Sequence, residues 1–311
     1  MTALNTLFPI FFMIILGFIS KVKGWITPEQ SAGANSVIFG VLFPIMIFNV
    51  LFTSSIDVSA IPIVAYVFIC FLIAFVIGKF AGRFINKDYA HIIPFMLPTV
   101  EGGNVALPLY TAIVGMQYAS NTVVFDLAGV MMAFIVIPII VAISGGGDTS
   151  PKQMVKNIVT SPFIIAVVLG LGLNLCGVYK MLQNSAFIDL YNGTMANATA
   201  PIVSVILFCI GYDLSIDMET LPSVLKVLLL RLAFYIAVIL GFFVLFPTKM
   251  ADPLFKLAAF VYFTCPWGFA IPLQISPLYE KDEDSKFASA FISLGMILTL
   301  IIYTCIVIFV A

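Results

Sequence analysis

Glu101, Gly102, Gly103 and Asn104 lie between Pro98 and Pro108 in an otherwise apolar stretch, an arrangement suited to holding ions. Each proline removes a backbone donor and disfavours helix in the residue ahead of it. The two glycines let the chain unwind between the prolines. A second stretch repeats the pattern with Thr264, Pro266, Trp267, Gly268 and Pro272. Unwound backbone at membrane depth is tolerated only beside protein or a watery cavity. A half-helix starting there offers unpaired N–H groups and a partial positive charge, which suits an anion. The candidate substrate-binding residues are therefore Gly102, Gly103, Asn104, Pro108, Pro266, Trp267 and Gly268, with Arg231 as a counter-charge. Glu101, Asn104 and Thr264 are the candidates for a coupling cation, and Glu101 is the expected ligand if that cation is sodium. The plain alternative is a pair of proline kinks.

Glu101, Asp126 and Arg231 all fall inside apolar spans, where each charge costs at least about 2.5–3.5 kcal/mol at the centre of a helix. Arg231 has two readings: a structural ion pair within the bundle, or a partner for a substrate carboxylate. Asp126 reads either as a rim charge in the outer third of its span or as a relay acid. Glu280, Asp282, Glu283 and Asp284 read as a solvated loop, and His91 as an interfacial residue. Asn192-Gly-Thr and Asn197-Ala-Thr read as a turn and a helix cap rather than as glycosylation sites. The five cysteines stand in or beside apolar runs without a CxxC pair, so neither disulfide nor metal site is expected.

The elements that must position these residues are membrane spans. Of 311 residues 62% are hydrophobic and only 9% charged, against about 25% charged in an ordinary soluble domain. The mean hydropathy is +1.17. A span takes about 20 mostly apolar residues. Ten segments qualify: 3–20, 32–53, 60–85, 91–115, 121–144, 157–176, 195–212, 220–246, 254–277 and 286–310. The fourth and ninth are the interrupted ones. The start of the seventh, near Asn192, is the loosest boundary.

Alternating sides gather Lys21, Lys23, Lys79, Arg83, Lys87, Lys152, Lys156, Lys226, Arg231, Lys281 and Lys286 toward one face. Only Lys180, Lys249 and Lys256 lie toward the other. The positive-inside rule makes the first face cytoplasmic and puts both termini outside. The first apolar run has no positive charge ahead of it and Lys21 and Lys23 behind it, which predicts a retained helix rather than a cleaved signal.

Two sequence echoes divide the chain. Ser55-Ile56-Asp57 with Pro62 is matched by Ser215-Ile216-Asp217 with Pro222, and Ala106-Leu107-Pro108-Leu109 by Ala270-Ile271-Pro272-Leu273. The expected organisation is a first five-helix repeat over 1–144, a cytoplasmic linker over 145–156 and a second repeat over 157–311. With five spans per half, the second half enters the membrane inverted, an arrangement common in secondary transporters. The predicted fold is an all-α polytopic membrane protein, a 5+5 inverted repeat with broken, crossing fourth and ninth helices.

On these residues the chain resembles the auxin efflux carrier family over its whole length. That family's fourth helix reads roughly Asn-x-Gly-x-x-Gly-x-Pro. Counting back from Pro108, this chain has Ala106 and Gly103 at the glycine positions and Glu101 at the asparagine. Its ninth helix usually carries Pro and then Asn four residues on; Pro266 fits, and Ala270 holds the asparagine position. The resemblance implies a scaffold domain and a crossover domain that move against each other, as in bile acid/sodium symporters. It also implies a bacterial-type organic anion carrier of the inner (plasma) membrane. The departures at Glu101 and Ala270 carry the family's carboxylate-binding details over only in part, and auxin is not implied.

The leading functional expectation is secondary active transport of a small mono- or dicarboxylate by alternating access, coupled through Glu101 to a proton or sodium. The expected partners are that carboxylate, the lipid bilayer and a second copy in a homodimer, with no nucleic acid. No cofactor is expected beyond the coupling ion. The alternatives are a sodium/proton antiporter-like cation carrier, with Glu101 as its ion-binding group, and a sensor on a carrier fold. An intramembrane enzyme is not expected, because the sequence lacks a His-x-x-x-His motif, a Ser/His pairing and an acidic dyad at one depth.

Overall fold

In lipid every backbone N–H and C=O must be satisfied within its own segment, so long apolar runs fold as helices. A computed structural model of the protein describes residues 2–53, 60–144, 159–160, 162–213 and 219–310. Among the described residues the chain is helical, with no strand. In chain order the helices are α1 Thr2–Lys23, α2 Pro28–Thr53, α3 Ile61–Ile85, α4 Ile93–Met96, α5 Leu107–Val114, α6 Ser120–Met131 and α7 Ile137–Ser144. They continue as α8 Pro162–Leu175, α9 Val178–Gln183, α10 Ile188–Asp213, α11 Leu221–Leu245, α12 Pro247–Ala251, α13 Pro253–Phe263, α14 Ile271–Ile275 and α15 Asp282–Val310.

Six helical stretches among the described residues are long and apolar enough to cross a bilayer: α2, α3, Ser120–Val141, Ile188–Cys209, α11 and Asp282–Phe309. Their outward faces carry large apolar side chains such as Phe84, Val244 and Phe309. The chain is a polytopic, integral membrane protein. The two Ser-Ile-Asp matches and the linker over 145–156 lie outside the described residues.

Some boundaries differ from the sequence reading. The seventh expected span begins earlier, as α10 at Ile188, so both glycosylation-like triplets lie inside a helix and neither forms a turn or a cap. The second begins at Pro28 through a capping box. Gln30 N donates to Thr27 Oγ1 at 3.3 Å, and Thr27 N donates to Gln30 Oε1 at 2.8 Å. Three π turns, Ile38–Leu42, Gly102–Ala106 and Met132–Val136, each end two residues before a proline: Pro44, Pro108 and Pro138. In each the residue ahead of the proline donates five residues back: Phe43 to Ile38, Leu107 to Gly102 and Ile137 to Met132. The wider turn relieves the clash of the proline ring with the carbonyl four residues back.

The helices gather into two compact units, each drawn from both halves of the sequence: Phe8–Val58 with Thr149–Asp213, and Met1–Leu7 with Ser59–Asp148 and Leu214–Ala311. In the first unit small residues let backbones approach. Gly170 faces the Phe48 carbonyl, and a Cβ there would stand 3.0 Å from it. Asn174 Nδ2 donates to Leu51 O and Phe52 O, both at 2.8 Å, satisfying carbonyls that the end of α2 leaves open. A Cβ on Gly211 would overlap the Ile14 carbonyl, lying 2.6 Å from its carbon. Gly211→Ala is therefore expected to lower stability by about 1–3 kcal/mol, as overpacking does. A melt in detergent checks this. A gain of about 1 kcal/mol, alanine's advantage over glycine in a helix, would mean that the contact does not constrain α1 and α10.

The second unit is built on aromatic rings. Phe125 lies 5.5 Å from Phe242, 5.4 Å from Tyr262 and 5.4 Å from Phe263, and Tyr235 lies 5.6 Å from Phe263. All five rings are buried. This packed layer holds α6, α11 and α13 together.

Candidate functional site

Both interruptions belong to the second unit. Helical structure stops at Leu97, resumes in the π turn Gly102–Ala106, and stops again after α13 until α14. Thr99 sits in the left-handed region at φ 67°, where a β-branched residue is strained.

The two breaks are joined directly. Glu101 N donates to Pro266 O at 2.9 Å. Phe269 N donates to Glu101 Oε2 at 2.6 Å, so the buried carboxylate answers an N–H two residues ahead of α14. Across from it, Arg231 enters from α11 with its side chain buried. Its Nη1 donates to Leu97 O at 2.6 Å and Met96 O at 3.1 Å, and its Nη2 to Thr99 O at 2.7 Å. Longer contacts run from Nη2 to Pro266 O at 3.4 Å and to Cys265 O at 3.5 Å. Tyr235, one helical turn along α11, donates to Leu97 O at 2.8 Å and Thr99 O at 3.2 Å, and the guanidinium carbon stands 4.6 Å from its ring centre. The carbonyls freed by unwinding are thus answered by a planar fork of donors, a geometry that only arginine presents. The strained Thr99 peptide is held by the same two side chains.

Arg231 is met here by carbonyl oxygens and a phenol. Neither the ion pair nor the substrate contact weighed from the sequence describes these bonds. The other candidates fall around it. Gly102 is buried, and a Cβ on it would run into the Asp126 carboxylate, with Tyr262 Cε2 2.9 Å away. Gly103 is half-buried, and Asn104 contributes its backbone to the π turn while its side chain lies outside the described ones. Pro108 starts α5. The Pro266 carbonyl takes the Glu101 N–H, and the buried Trp267 ring meets Phe291 edge-on at 5.7 Å. A Cβ on Gly268 would stand 3.3 Å from Thr99 Oγ1. Thr264 turns back on its own helix, donating to Phe260 O at 2.8 Å and Val261 O at 3.1 Å. Thr99 Oγ1 and Trp267 Nε1 are buried and have no hydrogen-bond partner among the described residues.

Asp126 is the acid whose place the sequence reading left open. It packs against Gly102, the residue next to Glu101, and accepts from Tyr262 Oη at 3.3 Å. Its one sequence signal was a charge in an apolar run, and only the packing of α6 on the π turn brings it to the break. Tyr235 and Tyr262 gave no signal beyond being aromatic. Among the described residues no group of three or more His, Cys, Asp and Glu side chains could hold a metal ion.

Away from the breaks, Asp284 departs from the solvated-loop expectation. It is fully buried at the start of α15, where Oδ2 meets His91 Nε2 at 3.0 Å and accepts from Glu280 N at 2.8 Å and Lys281 N at 3.3 Å. It answers backbone donors that open the helix, as an acid in a first turn does.

No protein-family model matches the chain, and no curated protein matches it significantly.

Proposed function

We propose that this protein is a secondary carrier of a small mono- or dicarboxylate, of the auxin efflux carrier type. In this reading ten spans form two inverted five-helix halves, both termini lie outside, and transport proceeds by alternating access coupled to a cation through Glu101. The observation that carries the proposal is the joining of two interrupted segments around one buried carboxylate, since paired discontinuities of this kind are the usual place for a transporter's site.

Glu101 Oε2 takes the Phe269 N–H, a donor that a substrate carboxylate could otherwise claim. While Glu101 is ionised, it both fills that donor and repels a second anion. Loading a proton or a sodium ion removes the repulsion, so cation and carboxylate bind with mutual preference, which is coupling by differential affinity. Arg231 keeps the break open for this exchange by holding its carbonyls.

A second reading, an antiporter-like cation carrier, is favoured by one observation: Asp126 lies against Gly102, beside Glu101. Two acids at one break suit a cation that arrives as protons leave.

Proteoliposomes separate the two readings. Uptake of one member of a mono- and dicarboxylate panel, driven by a sodium or pH gradient, is the expected result. Sodium/proton exchange with no carboxylate moved by any gradient would replace the anion reading with the cation reading.

A further inference from the structure

The second unit has a crevice of about 780 Å³ that the carrier reading does not use. It runs between the end of α5, the start of α13 and the last turns of α15, and its volume falls in the range of about 300–1,000 Å³ usual for small-molecule sites. Ile113, Phe260, Ile302 and Ile306 line its length, and Lys256 and Tyr118 are its charged and hydroxyl groups. Among the described residues no carboxylate lies within ion-pair distance of Lys256. The nearest acid in sequence on its own helix, Asp252, instead accepts from Leu254 N at 2.9 Å as the N-cap of α13.

We propose that this crevice binds one acidic phospholipid, with an acyl chain along the apolar walls and the phosphate at Lys256 and Tyr118. Three observations converge on that occupant. The walls are continuous with outward apolar surface, where Phe309 is 88% and Ile308 64% exposed, so the occupant must be an apolar chain already in the bilayer. Helix ends gather at the mouth, the level at which Lys and Tyr side chains meet lipid headgroups. Among the described residues no acid pairs with the ammonium there, which selects an anionic headgroup over a zwitterionic one. The proposal is independent of what the protein transports.

Native mass spectrometry of the purified protein with phosphatidylglycerol and phosphatidylcholine tests it. The wild type is expected to hold one phosphatidylglycerol in preference to phosphatidylcholine. Lys256→Gln should weaken phosphatidylglycerol binding about fivefold, the equivalent of about 1 kcal/mol for one basic group at a membrane surface, and Lys256→Arg should restore it. Ile306→Trp, which fills the crevice, should weaken both lipids while the melting temperature in detergent shows the fold intact. Equal binding of the two lipids by the wild type, or undiminished phosphatidylglycerol binding by Lys256→Gln or by a folded Ile306→Trp, would overturn the assignment. So would a wild-type dimer that Ile306→Trp dissociates, because the crevice would then belong to a second copy of the chain.

Discussion

Arg231→Met is expected to destabilise the protein by at least about 3 kcal/mol and to abolish transport, although it keeps nearly the length and volume of the side chain. Three carbonyls, those of Met96, Leu97 and Thr99, receive Arg231 at 3.1, 2.6 and 2.7 Å. A hydrogen bond from a charged donor contributes about 1.5–3 kcal/mol, and a buried acceptor left without a donor costs about 1–3 kcal/mol. Tyr235 still reaches two of these carbonyls, and methionine removes the cost of burying a charge, so the sum of the separate bonds is an upper limit. Arg231→Lys should fall between: its ammonium donates three bonds from one point and cannot span both guanidinium nitrogens' partners. Chemical denaturation in detergent, alongside uptake in proteoliposomes, checks the series. If Arg231→Met is as stable as the wild type, the carbonyls find donors without Arg231. If it is stable but inactive, the substrate-contact reading of Arg231 regains the ground.

Glu101→Gln is expected to leave the fold intact and to remove the dependence of transport on pH and sodium. The glutamine carbonyl can accept the Phe269 N–H as the carboxylate does, so the bond that joins the two breaks survives. What disappears is the titratable charge, and with it the repulsion that the coupling cation relieves. The variant should exchange substrate between the two sides of a vesicle yet fail to concentrate it against a gradient. Glu101→Ala, which also loses the bond, should lose exchange as well. Accumulation by Glu101→Gln with the wild-type response to pH and sodium would move the coupling site elsewhere, and Asp126 is the first acid to examine next. Asp126→Asn tests that directly, since Tyr262 can still donate to the asparagine oxygen.

The long spans were legible in the sequence because lipid imposes one rule on every residue of a span, and a run of apolar residues declares it without reference to any partner. The two breaks were legible for the same reason: a proline without a donor changes the local chain wherever it folds. Glu101 stood out because a charge is costly anywhere in such a run. The π turns before Pro44 and Pro138 were missed because a proline in an apolar run declares a lost donor but not whether the turn widens or breaks.

What sequence could not decide was which groups answer the charges. Arg231 lies 132 or more residues from the carbonyls of Met96, Leu97 and Thr99, and no side-chain pattern marks a carbonyl as an acceptor. Counting acids and bases therefore weighed an ion pair and a substrate carboxylate and left out the main-chain oxygens present in every residue. Asp126 reached Gly102, the neighbour of Glu101, through the packing of α6, and Asp284 left solvent because the start of α15 required an acceptor inside the fold. By itself the sequence determined the solvent, the long apolar spans and the two stretches where prolines break a helix. The tertiary structure alone decided how those failures are repaired, because a broken hydrogen bond can be mended by any donor that packing brings within reach.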